Sequence, residues 1–348
     1  MKMEINALDT LTFGVGKPSV WGEDTFGAGM FPPFPSVIRG AARAAWLYEN
    51  GSCEIADTHD DPTKNYIVNE YAVLFDGKPY FPVPADYLLG NLGDSDNSKK
   101  TLIPCKLQDN DGLSNATHCQ LWADACGKVL SAEGQYIPKE ELQNYLNGEK
   151  LTEFASVPLS DYITDESKIG IFKDRKSGTV KTSMLYRSPL TRLANAGKTA
   201  SLAVDISGID KTPGLVRFGG ENKVADFTAY NHDISPNLPK NGAIGEDGSF
   251  KLYIATPAIF KSGWLLDLPE AELLTAAVYG YDNVGGFDMK RQRPKPMRRA
   301  VRAGSVYYYK LKDSDDCGNR EKVLALHGTS ISDYCREDGF GICYIGKI

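Results

Sequence analysis

Phe31-Pro32-Pro33-Phe34-Pro35-Ser36-Val37-Ile38-Arg39-Gly40-Ala41-Ala42-Arg43-Ala44-Ala45-Trp46 is the stretch whose reading decides the fold. The prolines end whatever precedes them, and Ser36 stands where a helix N-cap belongs. Ile38, Ala42 and Ala45 mark one helical face through Trp46, and Asn50-Gly51 stops the helix. Arg39 and Arg43 are four residues apart, so they project from one side. The alanines keep the helix slim enough to approach backbone or ligand closely. Two solvated surface arginines are the alternative reading.

Upstream of this helix, Met3 to Phe13 alternates loosely and predicts an opening strand. A turn-rich segment with five glycines, Gly14 to Pro35, links the two. Downstream, residues 52–66 are polar and acidic and predict a loop, while Val73 to Phe81 predicts a hairpin turned at Asp76-Gly77. Polar connectors at 92–100 and 109–115 precede a short helix over Lys139 to Leu146. Lys168 to Arg192 predicts a long hairpin turned at Lys176-Ser177-Gly178. Strands follow over Ser201 to Ile206 and Val224 to Tyr230, the second led in by Val216 to Gly220.

Asn231 to Ser249 has a linker composition. Beyond it come a strand over Phe250 to Phe260, a helix over Glu270 to Tyr279, and a basic, glycine-rich crossing. Strands over Ser305 to Leu311 and Ile342 to Ile345 complete the chain. Strand, helix, strand, strand in each half predicts an α+β protein. Its expected form is two tandem ferredoxin-like (RRM-like) domains, residues 1–240 and 241–348, with inserted loops and a long basic hairpin.

The chain of 348 residues suits two such domains, and 34 glycines with 19 prolines favour loops and strands over a helical bundle. The first residues carry an early acid and no apolar run, unlike a secretory signal, and no stretch is apolar enough to cross a membrane. A soluble, cytoplasmic protein is expected. The seven cysteines are scattered without a Cys-x-x-Cys pair, which predicts reduced thiols rather than a zinc site.

A formal net charge of −6 argues against nucleic acid until its distribution is examined. Lys168, Lys173, Arg175, Lys176, Lys181, Arg187 and Arg192 face a single acid, Asp174. Lys290, Arg291, Arg293, Lys295, Arg298, Arg299 and Arg302 face none. Two basic strips on an acidic body focus a field that guides a polyanion to one groove. Tyr186 and Tyr307-Tyr308-Tyr309 lie among or beside the strips. Arginine forks on phosphates with aromatics stacked on bases suit single-stranded RNA. Solvated hairpins that merely aid solubility are the alternative.

Catalytic motifs are sparse. His59-Asp60 lacks the further ligands a metal phosphohydrolase needs, and neither a Gly-x-Ser-x-Gly elbow nor a P-loop occurs. The glycine clusters Gly219-Gly220-Glu221 and Gly339-Phe340-Gly341 are either tight turns or places where backbone N–H groups approach a phosphate. His232 or His327 could serve a metal-independent endoribonuclease, although nothing in the sequence pairs either with a partner. Binding without catalysis, cofactor or metal is the expectation.

Asn283-Val284-Gly285-Gly286-Phe287-Asp288 and the run Pro294 to Tyr308, with Ala303-Gly304-Ser305-Val306-Tyr307 at its end, closely resemble the signature of the third-subunit family of the Cmr (type III-B) CRISPR effector complex, a RAMP-superfamily group. Phe31 to Arg43, the hairpin from Lys168 to Arg187, Arg217 to Glu221 and Gly339-Phe340-Gly341 agree with that family in order along the chain. Phe287 stands where the family usually shows Trp, Arg302 where it shows Pro, and Phe34 replaces a small residue. The resemblance implies a non-catalytic subunit in antiviral defence that holds the 5′ tag of the CRISPR RNA. It also implies docking to the large Cas10 subunit and the Cmr backbone subunit, and leaves contact with the flank of a target RNA open. The analogous subunit of a Csm (type III-A) complex and a CRISPR-RNA-processing endoribonuclease are the competing readings. The expected RNA-binding residues are Arg39, Arg43, Lys168, Arg175, Lys176, Lys181, Tyr186, Arg187, Arg192, Arg291, Arg293, Lys295, Arg298, Arg299, Arg302, Gly339 and Gly341.

Overall fold

The computed structural model describes residues 1–14, 29–51, 54–91, 100–109, 119–125, 127–153, 155–174, 176–240, 242–288, 290–313 and 316–348; the side chains of residues 91, 100, 172 and 180–187 are not described. The described part is mostly antiparallel strand with few helices, an α+β fold.

The larger sheet has nine strands. Its main path runs Gly214–Arg217, Val224–Ala229, Lys2–Ala7, Lys198–Ser207, Ile67–Phe75, Lys78–Pro82, Gln135–Pro138, Val157–Pro158. The opening strand is shorter than its sequence suggests and ends at Ala7; Leu11 makes one isolated bridge to Thr191. The hairpin turned at Asp76-Gly77 forms as expected, with both residues at positive φ (48° and 78°), as a two-residue connection between twisted strands requires.

Helix α1, Pro35–Glu49, packs Ile38, Ala41, Ala42 and Leu47 inward. Its start differs from expectation. Phe34 is the N-cap, without a side-chain bond, and Pro35 opens the first turn, so Ser36 lies inside the helix. Proline suits this position because the first N–H groups of a helix have no intrahelical partner. Helix α2, Lys139–Leu146, spans the residues its sequence predicts and buries Leu142, Tyr145 and Leu146.

The second sheet has the order Ala271–Ala277, Val306–Leu311, Ser249–Ile254, Ile342–Gly346, Thr329–Ser330. Here one expectation is overturned. Residues 271–277 are a strand, not a helix, paired with Val306–Leu311 through a bulge between Leu273 and Thr275. Alanine, glutamate and leucine favour helix locally, but their backbone groups find partners on the neighbouring strand. The helix of this half is instead α3, Cys317–Leu324, capped by Asp316, whose side chain accepts from the Gly318 N–H. Asn231 to Ser249 is irregular but not loose, since Ile234, Ala243 and Ile244 are buried.

The two sheets share a core. Tyr253, Ala255, Val306, Tyr308, Ile342 and Tyr344 pack with the first-half residues Met3, Ile38, Phe75 and Phe81. Tyrosine hydroxyls fasten the segment after Lys78–Pro82 across this junction. Tyr253 donates to the Pro82 carbonyl (2.7 Å), Tyr279 to Val83 (3.0 Å), and Tyr308 and Tyr145 to the Asp86 carboxylate (2.5 and 2.6 Å).

Two smaller antiparallel ribbons carry the basic strips. The long hairpin pairs Thr164–Lys173 with Val180–Arg192, and the basic ribbon pairs Tyr281–Val284 with Arg298–Val301. Beyond the latter, Phe287–Asp288 pairs with Arg293–Pro294.

Candidate nucleic-acid interface

The arginines of α1 point into the protein. Arg39 is 8% exposed and donates to the carbonyls of Tyr66 (2.6 Å) and Lys64 (3.1 Å) and to Asp338 (2.9 Å). It thereby ties α1 to the last turn before Gly339. Arg43 donates to Thr63 (2.9 Å), Asp57 (2.8 Å) and Asp61 (2.9 Å). Burial pushes the Asp61 carboxyl up, but donors from Thr63, Asp57 and Arg43 outweigh it and hold the group down at about 2. The Arg39 guanidinium is thus engaged inside the protein, and that of part-buried Arg43 is taken up by two carboxylates and a hydroxyl of the 54–65 segment.

The C-terminal glycine loop is likewise packed. Gly339 and Gly341 adopt φ of 90° and 74°, and a Cβ would lie 2.6 Å from Val68 Cγ1 and 2.6 Å from the Ser332 nitrogen, respectively. Their N–H groups already donate to Arg336 (3.0 Å) and Pro257 (2.8 Å), leaving none free for a phosphate at these two positions. Phe340 between them fills a small core with Phe34, Ile259, Val284 and Ala300. Close packing against Val68 of the first half accounts for Gly339, and packing against Ser332 within its own half accounts for Gly341.

On the long hairpin, Arg192 is held by Glu166 and Asp9, and Lys168 reaches Glu221 at 3.5 Å. Lys173 and Lys176 are exposed near its turn. Lys181, Tyr186 and Arg187 belong to the second strand, but their side chains, like Arg175 as a whole, lie outside the described residues.

The basic ribbon presents its charge outward. Arg293 and Lys295 are exposed and have no carboxylate at ion-pair distance among the described residues. Arg291 is also exposed, with Asp288 at 3.6 Å. Lys290 donates to the Ala56 carbonyl, beside the acidic loop. Arg302 differs from the rest, being bound by Asp282 (2.8 Å) and Glu133 (2.5 Å). Burial pushes its pKa down, but these two carboxylates leave it raised overall. Arg298 stacks on Tyr334 with 3.6 Å to the ring centre, and Arg299 on Tyr281 with 4.6 Å.

Of the aromatic residues the sequence suggested, Tyr186 has a side chain outside the described residues, and the tyrosines at 307–309 are packed inside. Tyr307, Tyr308 and Tyr309 are at most 5% exposed, and the hydroxyls of Tyr307 and Tyr309 donate to Trp264 (2.6 Å) and Leu266 (2.7 Å). This central strand is covered on both faces at every position but Lys310, so Tyr307 cannot stack on a base. The exposed rings near the strip are Tyr281 (50%) and Phe287 (49%). Both lie in the glycine-rich approach to the strip, where strand alternation would have marked them only with the ribbon's register known.

The described histidines form no assembled site. His327 accepts from the Ile345 N–H at Nδ1 (3.1 Å), so its Nε2–H faces the Pro236 carbonyl (3.2 Å), and burial pushes its pKa down. It is a clip between the last strand and the 231–249 segment. His232 is exposed, with its ring 5.4 Å from that of Tyr230, and His59 lies beside Asp60 on the surface. His118 lies outside the described residues. Among the described residues no three His, Cys, Asp or Glu side chains gather as metal ligands, and no helix is long and apolar enough to cross a membrane.

A chain in the cryo-EM structure of the type III-B Cmr-beta complex bound to cognate target RNA is similar in fold. The TM-score is 0.53 at 17% identity, over 88% of this chain and 86% of that one. The same values hold for a structure of that complex bound to target RNA and AMPPnP. No curated protein matches the chain. From residue 3 to residue 348 the sequence fits the model of CRISPR-associated protein (Cas_Cmr3), and the chain thus belongs to the Cmr3 family, subunits of type III CRISPR complexes.

Proposed function

We propose that this chain is a non-catalytic subunit of a type III-B effector complex that grips the 5′ tag of the CRISPR RNA through the basic ribbon at 281–301. The observation that carries the reading is the ribbon itself: Arg291, Arg293, Lys295 and Arg299 face solvent beside exposed Tyr281 and Phe287 on an otherwise acidic chain. Exposed arginines interleaved with rings are the pattern that single-stranded RNA rewards. Lys173 and Lys176 on the long hairpin extend the same surface chemistry.

The large Cas10 subunit and the Cmr backbone subunit are the protein partners in this reading. The similar chains come from complexes holding target RNA, which supports RNA at the assembled surface. The two sheets correspond to two ferredoxin-like units, residues 1–240 and 241–348. The succession Lys2–Ala7, α1, Ile67–Phe75, Lys78–Pro82 supports this for the first.

Ultraviolet crosslinking of the assembled complex, followed by peptide mapping, tests the proposal. RNA crosslinks are expected on peptides covering 281–301. Crosslinks from that ribbon to protein subunits alone would make it an adaptor surface and overturn the RNA assignment. Cleavage of CRISPR RNA by the isolated chain, lost on His232→Ala, would overturn the non-catalytic assignment.

A further inference from the structure

The outward face of the basic ribbon is more than a row of charges. Antiparallel pairing sets Tyr281 opposite Val301 and Asn283 opposite Arg299, so Tyr281, Asn283 and Arg299 share one face. Arg299 lies diagonal to Tyr281, and its guanidinium sits 4.6 Å from the ring centre. All three side chains are exposed, and no described residue takes up the Tyr281 hydroxyl. The opposite face carries Val284 and Ala300, which are buried against Phe34 and Phe340. Arg298 belongs to that inner face and stacks on half-buried Tyr334. One ribbon thus holds two arginine–tyrosine stacks of different purpose: the inner one closes against the core, and the outer one is open.

We propose that Tyr281, Arg299 and Asn283 form a preassembled stacking site for one unpaired nucleobase of the RNA. A guanidinium resting on a phenol ring is a flat, cationic platform whose free face accepts a base, and ring and guanidinium are already aligned before the base arrives. Asn283 offers both an amide donor and an amide acceptor to the base edge, which a stack alone lacks. Exposed Arg293 and Lys295 lie farther along the same chain segment, placed for the flanking phosphates. The site rests on the RNA-binding reading given above and gives Tyr281 the stacking role that buried Tyr307 cannot fill.

The test uses assembled complexes in which 2-aminopurine replaces one CRISPR-RNA base at a time. In the native complex its emission is quenched at one position by stacking. Tyr281→Ala restores that emission and weakens RNA retention roughly ten-fold, whereas Tyr281→Phe keeps both. Arg299→Gln, which preserves length but not the stacked cation, gives an intermediate loss and serves if Tyr281→Ala fails to assemble. Should no position respond to either variant while Arg293→Ala/Lys295→Ala still lowers RNA affinity, the stacking site is wrong and RNA binding by the ribbon stands. If affinity is also unmoved, both fall. Release of a protein subunit by Tyr281→Ala, with RNA emission unchanged, would reassign the ring to a protein contact and overturn the site.

Discussion

Arg39 and Arg43 on α1 and Arg293 and Arg299 on the basic ribbon look alike in sequence, yet they work in opposite directions. The helix pair is turned inward onto Tyr66, Lys64, Thr63 and three aspartates, where each charge-assisted bond secures backbone or loop. The ribbon pair is exposed, with Arg299 resting on a ring. A local excess of positive charge therefore does not by itself mark a ligand surface. Whether an acidic neighbour in space has already claimed the cation decides it, and here the acids of the 54–61 loop and Asp338 have done so for α1.

The comparison breaks most visibly at Arg39. Arg39→Ala is expected to destabilise the chain by about 3–5 kcal/mol, since it strands two carbonyls and the partly buried Asp338. Urea unfolding checks this, and the salt dependence of RNA binding should not change. A stable variant with a shallower salt slope would instead make Arg39 a phosphate contact.

Lys251 extends the comparison to a buried cation with no carboxylate at ion-pair distance among the described residues. It is 6% exposed and lies 3.4 Å over the Tyr145 ring, and burial pushes its pKa down to about 8 while Asp86 pulls it back up. The folded chain loses this proton near pH 8 and the unfolded chain only near 10.5. Between those values the unfolded state binds more protons, so this group makes stability rise with pH. Lys251→Met is expected to remove that rise, worth about 3 kcal/mol at most. The Tm advantage of the variant should thus shrink from neutral to alkaline pH; a constant difference would show that the buried lysine keeps its proton as readily as it does in the unfolded chain.

On the ribbon the expectation reverses. Arg293→Ala/Lys295→Ala should alter stability by less than about 0.5 kcal/mol while reducing the salt slope of RNA binding by roughly one unit per lost phosphate contact. The smallest effect belongs to Lys168→Ala, whose exposed pair with Glu221 contributes about 0–1 kcal/mol. Thermal unfolding should scarcely move, and a large loss there would mean the long hairpin depends on that contact.

Local chemistry made some elements legible. Asp76-Gly77 and Ser177-Gly178 specify their hairpins, and the apolar face of Lys139 to Leu146 specifies α2, because each signal is complete within a few residues. The strand Ala271–Ala277 was not legible, since its helix-forming composition yields to pairing with residues far along the chain. Tyr307 to Tyr309 read as a surface cluster although a doubly covered strand buries them. The site shows the same division. Its two basic strips are plain in the sequence, but the direction of each side chain depends on long-range partners such as Asp338 for Arg39 and Tyr281 for Arg299.

The most direct measurement is the CRISPR-RNA affinity of the assembled complex carrying Arg293→Ala/Arg299→Ala, taken across a salt series. The ribbon account predicts weaker binding and a shallower dependence on salt, with assembly otherwise intact. Affinity and slope unchanged from the native complex would contradict it.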